Sequence, residues 1–247
     1  MTDAALGGPA SAARLPAIGH EHPDVTGGWL RPAVFGAMDG LVSNFALIAG
    51  VVGGTQGQGS QPVVLAGLAG MAAGAFSMAA GEYTSVASQA EFAAAEIAVE
   101  RREIIENGPA EEAELARMYA AKGIRPQLAA QVAHEMHLDV DRAVDAHARE
   151  ELGIDPADLP SPLLAAVSSF LSFSVGAFLP VLPYLLWADS LWPALVISLV
   201  AMFLCGALVT KVTTRGWLYG GARQTLLGGA AAAITYAFGS LVGAGLG

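Results

Sequence analysis

The sequence predicts an all-α polytopic membrane protein: five transmembrane helices, with a three-helix hydrophilic insert between the second and the third. Composition points there first. Of the 247 residues 54% are hydrophobic and only 14% charged, with a mean hydropathy of +0.51. Soluble domains usually carry about 25% charged residues. The second observation is a set of five apolar runs, each near the roughly 20 residues that cross a bilayer. The third is the partition of charge. Residues 91–160 hold 16 of the 22 acidic and 7 of the 12 basic residues, so nearly all of the net charge of −10 sits in one segment.

Residues 1–29 are rich in Ala, Gly and Pro and lack the basic start and apolar run of a secretory signal, so a disordered tail is expected. His20 and His22 in H-E-H offer at most a loose metal site there. From Pro32 to Val52 the chain is apolar except for Asp39, Ser43 and Asn44, a first span. An uncharged G-G-T-Q-G-Q-G-S-Q turn leads to Pro62, which suits a first helical turn. The second span covers 63–88, with Gly70 and Gly74 spaced for close helix approach. No proline occurs between Pro62 and Pro109, so this helix is expected to leave the membrane and continue into water.

The acidic insert then reads as three helices. Helix A runs on to about Glu106 and is stopped by Asn107-Gly108-Pro109; helix B covers about Ala110 to Lys122, before Gly123. A third helix runs from Pro126 to Leu152, packing through Leu128, Val132, Met136, Val140 and Val144. Pro156, Pro160 and Pro162 make a stiff return to the membrane. The last spans are expected at 163–187, with Pro180 and Pro183 kinking or ending it, at 191–210 and at 224–246. The resulting divisions are 1–29, 30–90, 91–158 and 159–247. Cys205 is the single cysteine and lies in an apolar run, a packed thiol with no disulfide framework.

All 12 Lys and Arg fall on one side if the amino terminus and insert are cytoplasmic, leaving none in the opposite loops. So acidic an insert argues against nucleic acid as a partner and for a cation. The Ala/Gly-rich composition and short tails fit a bacterial plasma membrane, with an acidic organelle as the alternative.

Asp39 is an intramembrane carboxylate, a residue that usually lines an ion path or pairs with another polar group. At 1.5 Å per residue Asp39 lies about 12 Å inside the cytoplasmic edge, Glu82 about 9 Å and Met78 about 15 Å, so the three bracket one level. Snorkelling, or a protonated and hydrogen-bonded pair, is the alternative. In the insert, Glu100 and Glu103 share a helix face, as do Glu111 and Glu114. A short turn brings the pairs face to face, and His147 and Glu151 join them from the third helix. Oxygen ligands with an imidazole suit Fe(II) or Mn(II) better than Cu(I); a plain solvated acidic face is the other reading. His134 is expected in the core and His137 in solvent. H-E-x-x-H, a di-iron E-x-x-H within the insert, and a P-loop are all missing, which argues against a zinc protease, an iron oxidase and an ATP-driven pump.

D-G-L-V-S-N-F-A-L-I-A-G-V (39–51), G-A-F-S-M-A-A-G-E-Y-T-S-V-A-S-Q (74–89), the E-x-x-E pairs, E-L-G-I (151–154) and S-F-S-V-G-A-F-L-P-V-L-P (172–183) resemble the vacuolar iron transporter family. The resemblance implies a homodimer of five-span protomers that exports divalent iron, or manganese, from the cytoplasm in exchange for protons. It implies no permanently bound cofactor. The pore would lie between protomers, with Asp39 and Met78 as its aspartate and methionine and Glu82 beside them. Glu100, Glu103, Glu111, Glu114 and Glu151 match the family's cytoplasmic metal ligands. His147 stands where a methionine is typical; imidazole ligates Fe(II) or Zn(II). The competing reading is a membrane-anchored, carboxylate-type iron-binding oxidoreductase.

Overall fold

A computed structural model describes residues 28–56, 59–212 and 215–246. The amino-terminal tail with His20 and His22 lies outside them. The described residues form seven α-helices: α1 (Leu30–Gly54), α2 (Gln61–Ala121), α3 (Pro126–His137), α4 (Val140–Glu150), α5 (Pro162–Leu186), α6 (Leu191–Val209) and α7 (Trp217–Leu246). A 3₁₀ turn, Thr210–Val212, follows α6. Five of the helices, α1, α2, α5, α6 and α7, are long and apolar enough to cross a membrane.

α1 and α5 form the centre of the membrane part, with α2 against both on one side and α6 and α7 against α1 on the other. Lipid tails are as apolar as leucine, so burial alone does not hold such helices together; close packing and interhelical hydrogen bonds do. The sequence supplies both. Gly40 faces the backbone of Phe173, and Gly176 faces the backbone of Ala37, so α1 and α5 approach to a distance only a hydrogen side chain permits. Gly50 and Gly54 meet Gly239 and Gly243 of α7 in the same way. Asn44 Nδ2 donates to Gly67 O of α2 (3.1 Å) and Ala177 O of α5 (2.6 Å), tying three helices at one buried point. Thr235 Oγ1 donates to Ala46 O at 2.8 Å and fastens α7 to α1. Gly70 and Gly74 work differently from the expected backbone contact. They make room for the side chains of Leu47 and Phe173.

α2 passes the expected boundary at 90–91 unbroken and ends at Ala121, 61 residues in all. The predicted stop at Asn107-Gly108-Pro109 is a bend: only Asn107 leaves helical geometry (φ −127°, ψ 28°). The insert's three helices are therefore the α2 extension, α3 and α4. The single helix expected over 126–152 is divided, because Asp139 accepts a bond from Arg142 N (3.0 Å) and caps a new helix. Its packing stripe is corrected in part. Val144 is buried and Met136 packs on the Leu115 cluster as expected, but Leu128 is 44% exposed, and Ala129, Ala133 and Ala143 are buried instead. Ala133 and Ala146 pack on Leu115 beyond the bend, and Ala143 and Val144 on Ile104 before it. Arg101–Asp141 (2.5 Å) and Lys122–Glu150 add ion pairs at the rim, where such pairs contribute little.

Gly123 (φ 92°) and Gly153 (φ 65°) take the left-handed conformation that ends helices. Pro180 and Pro183 are accommodated inside α5, which continues to Leu186. α7 begins seven residues before the expected 224, so Arg223 lies within it. Cys205 is a free thiol packed beside the Leu41, Phe45 and Met202 cluster.

Candidate functional site

Two polar constructions lie along α2. The first is a groove of about 500 Å³ between α1 and the membrane half of α2, floored by Phe173 of α5. Asp39, Met78 and Glu82 all line it, together with Ser43, Ser77 and Ser85. Helical spacing produces this alignment. Met78 and Glu82 are four apart on α2, one face, with Gly74 and Gly81 keeping that face low. Met78 rests against the Ala75–Phe173–Ala177 cluster. Glu82 is buried and its Oε2 has no hydrogen-bond partner among the described residues. A carboxylate so placed is costly unless a cation or proton answers it.

The second lies at the bend of α2, where α4 packs against both of its limbs. His147 is fully buried, and its Nδ1 sits 2.9 Å from Glu100 Oε1, 3.7 Å from Glu151 Oε2 and 3.9 Å from Glu111 Oε2. The close approach to Glu100 is not aligned as a hydrogen bond, so Glu100 Oε1 and both His147 nitrogens remain unpartnered. One ligand atom from each of Glu100, His147 and Glu151 lies within 4.8 Å of the other two. Metal–oxygen and metal–nitrogen bonds near 2.0–2.2 Å would need only a small closure of this triangle. Eleven residues of straight helix would separate Glu100 from Glu111 by about 16 Å; the bend at Asn107 draws the two limbs toward the same nitrogen.

Burial and mutual repulsion dominate the electrostatics of this cluster. Glu100 is pushed up to about 7, by burial first and then by Glu151, Glu111, Glu114 and Glu103. Glu111 is raised by burial and by Glu114, Glu103 and Glu151. Glu100 before the bend and Glu111 after it are therefore both raised by neighbouring carboxylates from the two limbs. His147 is held below its ordinary value, by burial first and then by His137, which keeps the imidazole in its neutral, ligating form. Glu103 and Glu114 occupy the rim: Glu103 accepts from Asn107 Nδ2 at 2.9 Å, and Glu114 lies 3.8 Å from Arg117.

The two other insert histidines are exchanged relative to expectation. His134 is exposed beside Glu112 (3.2 Å). His137 turns inward, its ring edge-on to His147 at 5.2 Å. Its Nδ1 lies 2.9 Å from Ala133 O, in position to donate, and Nε2 is buried without a partner. The signal was available: Ala129, Ala133 and His137 are four apart on the face of α3 that meets α2.

Five membrane-length helices, a polar groove between two of them and a carboxylate–imidazole cluster on the extension of α2 define a polytopic helical membrane protein with two carboxylate-bearing sites. A family model described as the VIT family matches residues 30–240. The chain is 37% identical over 233 residues to a vacuolar iron transporter of Acanthamoeba castellanii, covering 92% of this chain and 84% of that one. It is 32% identical over 180 residues to vacuolar iron transporter 1 of Arabidopsis thaliana (72% and 71%), and 29% identical over 223 residues to vacuolar iron transporter 1 of Oryza sativa subsp. japonica (88% of each). The chain belongs to the VIT family.

Proposed function

We propose that this protein moves divalent metal, Fe2+ and with it Mn2+, out of the cytoplasm in exchange for protons, and that it does so as a homodimer. The observation that carries the reading is the single groove lined by Asp39, Met78 and Glu82, reached along the same helix that carries Glu100, Glu103, Glu111 and Glu114. The iron transporters among its relatives give Fe2+ the first place.

Glu100, Glu111, His147 and Glu151 capture the ion, with Glu103 and Glu114 at the mouth; Zn2+ fits the same mixed donor set. The ion then enters the groove, where Asp39 supplies charge and Met78 a soft sulfur as water is shed. A proton arriving at Asp39 or Glu82 weakens the hold on the cation, and that competition couples the two flows. The groove is open along one side at membrane depth. Polar side chains there are costly against hydrocarbon, and a second copy set against α1 and α2 would close the path. The distribution of Lys and Arg supports a topology with the amino terminus and the insert in the cytoplasm, in a bacterial plasma membrane or in that of an organelle.

The test is metal flux in proteoliposomes with and without an inward proton gradient, Fe2+ and Mn2+ in parallel. Asp39→Asn is expected to abolish metal-driven proton movement in a correctly folded protein. Full activity of that variant would overturn the assignment.

A further inference from the structure

We propose that Lys211, Arg215 and Arg223, near the end of α6 and the start of α7, bind the headgroup of an anionic phospholipid in the leaflet facing the insert. Lys211, Arg215 and Arg223 gather there, yet the chain from residue 159 onward contains one acidic residue, Asp189, in the loop at the opposite ends of α5 and α6. None of the three cations is in an ion pair among the described residues, although four of the seven basic residues of the insert are.

The geometry concentrates them. The guanidinium carbons of Arg215 and Arg223 lie 5.9 and 5.8 Å from the centre of the same ring, that of Tyr219. Each guanidinium is attracted to the ring, and the mutual repulsion of the two like charges would be offset by an anion bound near both. α7 begins at Trp217, so the positive end of its dipole faces the same rim. The edge-on contact of Trp217 with Phe203, 6.0 Å between centres, fixes the indole at the membrane boundary, where tryptophan and tyrosine are favoured.

What lies beneath the rim decides for a lipid over a free anion. Lys211, Arg215 and Trp217 crown a furrow of about 570 Å³ whose deeper wall is Leu204, Ala207 and Leu208. On the other side of Leu208 a second apolar furrow of about 370 Å³ runs between α1 and α6 past Ala37 and Cys205. Leu204 and Leu208 are exposed, and Leu208 lines both furrows. Two adjoining apolar furrows, one of them crowned by Lys211 and Arg215, suit two acyl chains below one phosphate. The site lies away from the metal groove and does not depend on the transport reading.

Full-length protein in neutral detergent, given phosphatidylglycerol, phosphatidylcholine or free glycerol phosphate, tests this by native mass spectrometry and thermal melts. Phosphatidylglycerol is expected to be retained at least tenfold better than phosphatidylcholine and to raise the melting temperature, with glycerol phosphate doing neither. Changing Lys211, Arg215 and Arg223 to Gln should lower retention about fivefold for each cation removed; Arg102→Gln with Arg125→Gln on the insert should leave it unchanged. Equal retention of the two lipids by the wild-type protein would overturn the proposal, and this comparison needs no variant to fold. Undiminished preference in the triple variant, or full stabilisation by glycerol phosphate alone, would overturn it as well.

Discussion

At the scale of residues, the metal-free insert stores unfavourable charge in a way that pH should expose. Glu100 ionises near 7 in the folded chain against an ordinary 4.5, so it is more easily protonated folded than unfolded. The stability it contributes is present at low pH and lost as the pH rises through 7; Glu111 acts in the same direction. His147 has the opposite sign. Its depressed pKa favours the neutral ring, and its contribution is lost as the pH falls below about 6.5. The interval from pH 8 to 6.5 therefore isolates the carboxylates. With chelator present, the melting temperature of the insert transition is expected to rise by about 2–4 °C between pH 8 and pH 6.5, and Glu100→Gln to remove most of that rise. Saturating Zn2+ should reverse the trend, because metal requires the ionised carboxylate. A metal-free melt that is flat across this interval would show that Glu100 is not held above its ordinary value. The gathering of Glu100, Glu111, His147 and Glu151 was legible because glutamates three apart, and a His–Glu pair four apart, share helix faces. His137 was not, because its burial depends on which face of α3 meets α2, and alanine rather than leucine marks that face.

At the scale of elements, α1, α5 and α6 were legible to within two residues at each end, since bilayer thickness sets the length of an apolar run and proline and glycine mark its ends. Two elements were misjudged for a common reason: polar residues can belong inside a helix or cap one. Arg223 made W-L-Y-G-G-A-R look like a loop, although its aromatic and basic side chains suit a helix at the membrane boundary. Asp139 read as one more charge on an acidic helix, although it caps α4. Leu128 and Val140 seemed to define a packing face because large apolar residues usually do. Against α2 the smaller Ala129 and Ala143 take that place. The same preference for small residues governs α1 and α5, and it can be measured. A Cβ at Gly176 would collide with backbone atoms of Ala37, which no rotamer change relieves. Gly176→Val is expected to cost about 1–3 kcal/mol, lowering the thermal midpoint by about 2–4 °C for each kcal/mol. Gly81→Ala, on a part of α2 with nothing within 4 Å of the added carbon, should melt with the wild type. Equal effects of the two substitutions would mean that α1 and α5 are not held at glycine distance.

At the scale of the whole molecule, α2 is the member that makes one device of two sites. Glu82 and Glu100 are eighteen residues apart on an unbroken stretch of helix, about 27 Å at 1.5 Å per residue. The insert is packed onto this rod through Ile104 and Leu115, so its carboxylates are held at a fixed distance from the groove. Capture and passage should then fail differently. Loss of capture lowers the local supply of ions, which a high external concentration can replace; loss of Asp39 removes a group the ion must pass, which no concentration replaces. Replacing Glu100 and Glu111 together by Gln, which keeps their volume, is expected to raise the KM for metal flux by about tenfold or more, the scale on which metal sites respond to lost partners. The maximal rate should stay within about twofold of wild type. Asp39→Asn should reduce the maximal rate at every concentration tested. Flux measured over a wide range of Fe2+ or Mn2+ separates the two patterns. If the glutamine pair lowers the maximal rate as Asp39→Asn does, the insert is part of the conduction path rather than its antechamber, and the bend at Asn107 would have to move for each ion carried.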